Sequence, residues 1–127
     1  MHDRHPYKYA IIRLVPKVER EEFFNIGVIL HCKRKKFLDL KYHIDPDKLK
    51  TFGPDLEAEP LGKHLNSWKM ICEGTPSSGP IGALDQAERF GWLTACRSTI
   101  IQSSETHSGL CADPQKELDG LFEKYVL

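Results

Sequence analysis

The sequence predicts an α+β fold: an antiparallel sheet of about four strands with helices packed on one face, in a single domain over residues 1–127. Three observations lead there. Residues 1–44 read as strands, two of them alternating around a charged tip. The middle of the chain changes to helical spacing with Asp-Pro and Asp-x-x-Glu start signals. A late strand and a terminal helix close it. Strands gathered early and helices in the middle fit α+β better than alternating βαβ units.

The first element is Tyr7–Val15, YKYAIIRLV, rich in β-branched and aromatic residues and apolar on both faces. That pattern suits a strand in the middle of a sheet, and Pro16 stops it. Phe24–Cys32 follows, with Phe24, Ile26, Val28, Leu30 and Cys32 at every second position, which gives one apolar face. The tip Lys33-Arg34-Lys35-Lys36 leads into a second alternating run from Phe37 to Ile44. Two such runs around four polar residues read as a hairpin, although the tip lacks the usual Gly.

Asp45-Pro46 starts a short helix, with Asp45 as N-cap and Pro46 at the first helical position. Gly53-Pro54 ends it. A second helix starts near Pro60, with Leu61, Leu65, Trp68 and Cys72 on one face and Gly74 as C-cap. Gly74–Gly82 (GTPSSGPIG) is a loop. Asp85 and Glu88 have the spacing of a capping box for a helix carrying Arg89, Phe90, Trp92 and Leu93. Thr99–Gln102 is the late strand, Ser103–Gly109 a polar loop. Asp113-Pro114 opens the last helix, which sets Leu118, Leu121, Phe122 and Tyr125 on one face.

Composition bounds the function classes. The chain has 127 residues, 40% hydrophobic and 28% charged, with 18 basic and 18 acidic side chains. Zero net charge with this much apolar content opposes disorder. It also opposes a general nucleic-acid coat, which would be basic overall. The balance is uneven along the chain: residues 1–50 hold 12 basic and 7 acidic groups, residues 51–127 hold 6 and 11. Charges of opposite sign in the two halves fit internal balancing within the fold. Cys32, Cys72, Cys96 and Cys111 form no CxxC pair, so they read as reduced thiols in apolar surroundings rather than as a zinc or redox motif. The polar start MHDRHPYKYA does not resemble a signal peptide, and no apolar run approaches the ~20 residues of a membrane span. A cytoplasmic location without membrane attachment is expected.

Strong catalytic motifs are missing: no GxxxxGK[ST], GxGxxG, HExxH or GxSxG occurs. Neither a cofactor nor a metal is expected. Gly74–Gly82 could cradle a phosphate, but its prolines remove donors. His2 and His5 lie in a polar terminus, and His31, His43 and His64 fall on the polar sides of their elements as surface residues. The tip Lys33–Lys36 could meet phosphates, but only Phe37 adjoins it, so nucleic-acid binding ranks low.

The dispersed polar set is more informative. Arg13 sits inside an apolar strand, where a guanidinium needs an acceptor. Asn25 begins the polar side of the next strand. Arg97, Ser98 and Thr99 follow the Trp92 helix and start the late strand, and His107 lies in the polar loop beyond it. Converged, these six would suit an anionic ligand or a phosphoester reaction with His107 as acid or base. The competing reading pairs Arg13 and Arg97 internally with Glu21, Glu22 or Glu105. Whether the protein is an enzyme stays open.

The segments YAIIRLVPKVEREEFFNIGVIL, ERFGWLTACRSTIIQSSETHSGL and DPQKELDGLF resemble the bacterial domain-of-unknown-function family numbered 3037 over nearly the whole chain. The resemblance carries no catalytic residue with it. It implies an accessory role, since members are often encoded beside a HipA-like kinase. The leading expectation is therefore a module that binds a protein partner, with a kinase-like protein as the candidate. An enzyme or sensor for a phosphorylated or nucleotide-like ligand through the Arg/Ser/Thr/His set is the alternative, and nucleic-acid binding through the basic tip is the third.

Overall fold

The computed structural model describes residues 3–20, 22–95, 97 and 99–127. Five strands form one sheet: β1 (His5–Leu14), β2 (Phe24–Cys32), β3 (Phe37–Tyr42), β4 (Ile101–Ser103) and β5 (His107–Cys111). Five helices accompany them: α1 (Pro46–Phe52), α2 (Ala58–Glu73), the single turn α3 (Gly79–Gly82), α4 (Gln86–Leu93) and α5 (Pro114–Tyr125). The α+β class and the antiparallel sheet are as the sequence predicts.

β1 occupies the middle of the sheet, as its two apolar faces require. It pairs antiparallel with β2 on one edge, and with both β4 and β5 on the other. β4 lies opposite Ile12–Leu14 and β5 opposite His5–Tyr9. Between them Ser104 keeps the ladder closed: its amide donates to Ile11 O at 2.8 Å, and its hydroxyl accepts from Ile11 N at 2.9 Å. β5 is a correction, because Ser103–Gly109 reads as a polar loop. HSGLC has no β-branched residue; the edge of β1 supplies the pairing instead. Gly109 stands opposite Tyr7, and a Cβ there would come within 2.6 Å of the Tyr7 ring. Only glycine leaves that ring its place.

A bulge in β2 decides how the sheet is covered. Ile12 pairs with Gly27 but Arg13 pairs with Asn25, so Ile26 is the extra residue. An extra residue reverses the alternation of the strand. Phe24 and Ile26 thus join Ala10, Ile12, Leu14, Ile29, Leu38 and Leu40 against Leu49 of α1, Leu65, Trp68 and Ile71 of α2, and Phe90 and Leu93 of α4. Val28, Leu30 and Cys32 join Ile11 on the opposite face, against Leu118, Leu121 and Phe122 of α5. Helices therefore cover both faces rather than the one expected. The terminal helix presents the apolar stripe the sequence indicates, and the sheet has a second apolar face to receive it.

Helix ends follow local chemistry. Asp45, Asp85 and Asp113 each cap a helix, accepting from Asp47 N at 2.9 Å, Glu88 N at 2.8 Å and Gln115 N at 3.0 Å. Gly74 ends α2 in the left-handed region at φ 67°, its N–H donating to Met70 O and Ile71 O. GTPSSGPIG is more ordered than a plain loop, since it holds a 3-10 turn at Pro76–Ser78 followed by α3. The hairpin tip manages without Gly because Lys36 itself takes φ 52°. The free edge of β3 is partly blunted: Lys69 donates to Leu40 O at 3.1 Å, and Gln86 donates to Lys36 O at 2.9 Å.

Arg89 ties the helical layer together. It is 9% exposed. Its guanidinium donates to Ile71 O at 2.8 Å and Cys72 O at 2.7 Å, while Nε donates to Leu84 O at 2.9 Å. A cation at the C-terminus of α2 answers both the orphan carbonyls and the helix dipole. Cys32, Cys72 and Cys111 are buried free thiols. Burial pushes Cys72 to about 12 and Cys111 to about 11, which keeps both protonated. Cys96 and His2 lie outside the described residues. No described helix is long and apolar enough to cross a membrane.

His31 departs from its expected surface position. It is half-buried on the α4 face of β2, its ring 5.5 Å from that of Phe90. The face changed because the bulge shifted the strand's alternation. His43 and His64 are exposed, as expected.

Two outcomes are expected. Arg89→Met strands the carbonyls of Ile71, Cys72 and Leu84, and should lower unfolding free energy by about 2–3 kcal/mol in urea titrations; a loss under about 0.5 kcal/mol would refute the tie. The second concerns pH. Burial, then the Arg89 charge, hold the His31 pKa below its ordinary 6.5, against a smaller opposing effect of Asp85. The folded chain then binds fewer protons than the unfolded one near pH 6.5, so stability falls as pH drops through that value. His31→Gln should flatten urea midpoints measured from pH 7 downwards. The carboxylates with lowered pKa, Asp85 and Asp119, act in a separate window below their ordinary 3.8.

Candidate functional site

The sheet divides the six sequence candidates. Arg13 alternates on β1 with Ile12 and Leu14, which face α2 and α4, so it lies on the α5 side. Its guanidinium carbon sits 4.2 Å above the Phe23 ring, and its Nε has no partner among the described residues. Asn25 stands directly opposite Arg13 and donates to Tyr125 O at 3.0 Å, closing the end of α5. His107 is also on the α5 side, opposite Tyr9 in the middle of β1 and four residues along the strand from Arg13, with its ring 5.3 Å from that of Tyr9. Arg97 and Thr99 are on the α2–α4 side. Ser98, like Glu21, lies outside the described residues. The structure thus brings Arg13 together with Asn25 and Arg97 together with Thr99, and places the sheet between the two arginines.

Internal carboxylates do not hold these arginines among the described residues. Glu22 pairs with Arg20 at 3.3 Å, and Glu105 makes no ion pair there. Arg97 closes the end of α4 instead, donating to Leu93 O at 3.1 Å and to Trp92 O. Its guanidinium carbon lies 4.7 Å from the centre of the Trp92 ring and 5.2 Å from that of Trp68. Partial burial alone pulls its pKa down from the usual arginine value. The charge is held by carbonyl dipoles and two aromatic faces, with no counter-ion beside it among the described residues.

This arginine forms one wall of a groove of about 660 Å³ lined by Leu61, His64, Trp68, Trp92, Thr99 and Ile100. Trp92 and Ile100 are each 39% exposed. His64 extends the aromatic surface, its ring 5.4 Å from Trp68. The Thr99 hydroxyl donates to Ile101 O at 2.8 Å and shapes the entry to β4. The groove exists because α2 and α4 pack on the sheet side by side, while the segment before β4 returns along their ends. Sequence reasoning named Arg97 and Thr99 but missed the tryptophans as site residues. The available signal was Trp92, which lies beside Phe90 and Leu93 in sequence yet cannot share their buried side of α4.

The basic tip is a solvated turn at Lys33–Lys36, and Phe37 packs into the α5 core. The one aromatic that adjoins the tip in sequence is thus committed to that core and only partly exposed. Among the described residues no group of three His, Cys, Asp or Glu could hold a metal ion.

Arg97→Ala should remove both cation–π contacts and the α4 end cap. The expected loss is about 1 kcal/mol of stability, with a red shift of tryptophan emission as Trp92 and the edge of Trp68 meet water. Unchanged emission would show that Arg97 does not shield the rings.

No curated protein and no solved structure matches this chain. A family model described as "Protein of unknown function (DUF3037)" matches residues 9–126. That span takes in every strand except the start of β1, the first core, all of the second except Tyr7, Arg97 and the tryptophan groove, and the chain belongs to the DUF3037 family.

Proposed function

We propose that this protein is a small accessory module that binds a protein partner through the Trp68–Trp92–Arg97 groove. The partner presents an apolar side chain next to a carboxylate. One observation carries this reading: Arg97 stands over two tryptophans at the wall of an apolar groove, without a counter-ion among the described residues. Tryptophan and arginine are the residues that most often dominate binding energy at protein interfaces. Exposed Trp92 and Ile100 supply area that water solvates poorly. A carboxylate reaching Arg97 would neutralise a charge already partly removed from water, which strengthens the pair relative to one in bulk water. Its carbonyl bonds and the two rings fix the guanidinium in advance, so little side-chain entropy is lost on docking. The family resemblance makes a kinase-like protein the first partner to test.

Partners captured with tagged protein from the native host should be purified and titrated calorimetrically against the chain. A stoichiometric complex is expected, and Trp92→Ala should weaken it by about 2 kcal/mol, roughly thirtyfold. Ile100→Asp should weaken it too, by placing a charge in the groove. Trp92 is partly exposed, so the alanine variant keeps the fold. Equal affinity for the wild type and both variants would remove the groove from the interface.

A further inference from the structure

A second cavity, of about 540 Å³, lies on the other side of α4 from the tryptophan groove. Its floor is a row across three strands. His31 of β2 stands opposite Lys8 of β1, and Lys8 stands opposite Ser108 of β5. Directly paired residues share a face with Cβ atoms ~5 Å apart. The Lys8 side chain therefore leaves the sheet between those of His31 and Ser108. Lys33 adds a second ammonium at the rim, where the hairpin turns. Neither lysine makes an ion pair among the described residues, and the Ser108 hydroxyl makes no hydrogen bond there.

The roof is apolar and flat. Ala87, Gly91 and Thr94 recur at steps of four and three, so one side of α4 carries almost no bulk. Nothing lies within 4 Å of the position a Gly91 Cβ would take. Phe90 closes the inner end against His31. The volume is in the usual range of ~300–1,000 Å³ for small-molecule sites, which combine apolar walls with a few convergent polar groups.

We propose that this cavity binds a small phosphorylated molecule with a flat ring, of the nucleoside monophosphate kind. Lys8, Lys33 and Ser108 hold the phosphoryl group, and the ring lies along the Ala87–Gly91 side of α4. Two ammonium groups and a hydroxyl on one side match the charge and acceptor count of a phosphoryl group. A single carboxylate would leave one ammonium unanswered. The bare face of α4 matches a flat ring, which needs contact area without projecting side chains. None of these residues belongs to the partner groove, and α4 stands between the two sites.

His31 reports occupancy. The charged groups acting on it are Arg89 and Asp85 from α4 and its cap, Lys33 from the hairpin turn and Lys8 from β1. Three of the four are cations, so a bound dianion should move its titration upward.

The test is an amide-resonance titration of the full chain with adenosine monophosphate, with adenosine and inorganic phosphate as controls. Shifts should cluster at Lys8, His31, Gly91 and Ser108, be largest with the nucleotide, and accompany a rise in the His31 titration midpoint. Lys8→Gln with Lys33→Gln should weaken binding roughly tenfold or more; both side chains are exposed, so the fold is kept. Gly91→Leu places a side chain into the cavity at a helical position that favours leucine over glycine, and should abolish binding in a well-folded protein. Absence of clustered shifts with the nucleotide, or binding that survives both variants unchanged, would overturn the assignment.

Discussion

The structure depends on β1 being enclosed on every side. It is bonded to β2 along one edge, and to β4 and β5 along the other, while both its faces are covered by helices. A strand so placed needs apolar residues at both parities, and AIIRLV supplies them. The requirement propagates. β1 has ten residues, but no single later segment covers its outer edge, so β4 and β5 divide it. Ser104 lends its hydroxyl to the Ile11 amide at the break, because a buried amide left unpaired would cost about 1–3 kcal/mol. Pairing of β4 on that edge brings the segment preceding it past α2 and α4. The tryptophan groove is a consequence of how β1 is covered.

Cationic side chains in the helical layer are satisfied by carbonyl oxygens more than by carboxylates. Arg89 closes α2 and Arg97 closes α4. A helix C-terminus offers several carbonyls and a negative dipole end in one place, so a guanidinium there needs no acid. The excess of base in residues 1–50 and of acid in residues 51–127 is answered directly by Lys41–Asp119, at 3.1 Å, across the α5 face. The other described ion pairs, Arg20–Glu22, Lys63–Glu59 and Lys69–Asp39, include Lys69–Asp39, which runs in the opposite sense. Internal balancing is thus slight among the described residues. Lys8 and Lys33 at one cavity, and Arg97 at another, make no ion pair among the described residues.

Much of the fold was legible because its signals are local. An Asp before the first helical turn bonds an amide two or three residues on, whatever the rest of the chain does, so Asp45, Asp85 and Asp113 read correctly. Gly74 was legible for the same reason, since few other residues take a positive φ at a helix end. The bulge at Ile26 was not. FNIGVILHC alternates well enough to suggest one apolar face, and only the pairing of Arg13 with Asn25 reveals the shift of phase. That phase shift put a second apolar face under α5 and carried His31 to the α4 side. β5 was illegible because its pairing lies in the partner strand, not in HSGLC. The candidate site divided the same way: Arg97 stood out as a charge, but its tryptophan neighbours come from α2 and α4, far apart in sequence.

α4 shows how eight residues can serve two surfaces. Arg89, Phe90 and Leu93 form its buried side and fix its position. Ala87 and Gly91 lie to one flank, Trp92 to the other. Small residues on one flank let the helix approach Lys8 and His31 without filling the space between, and a large one on the opposite flank builds a wall. Exchanging the two flanks would close the first cavity and flatten the second. Burial of Phe90 and Leu93 cannot explain which residue types stand at the flanks, because a helix packs equally well with alanine at 91 and 92. Glycine at 91 costs helix stability relative to alanine, by about 1 kcal/mol, and tryptophan at 92 exposes an apolar ring. The glycine is unfavourable for folding alone, and the tryptophan leaves part of its ring in water although Arg97 covers one face. Both become intelligible if the flanks of α4 are surfaces that something else occupies.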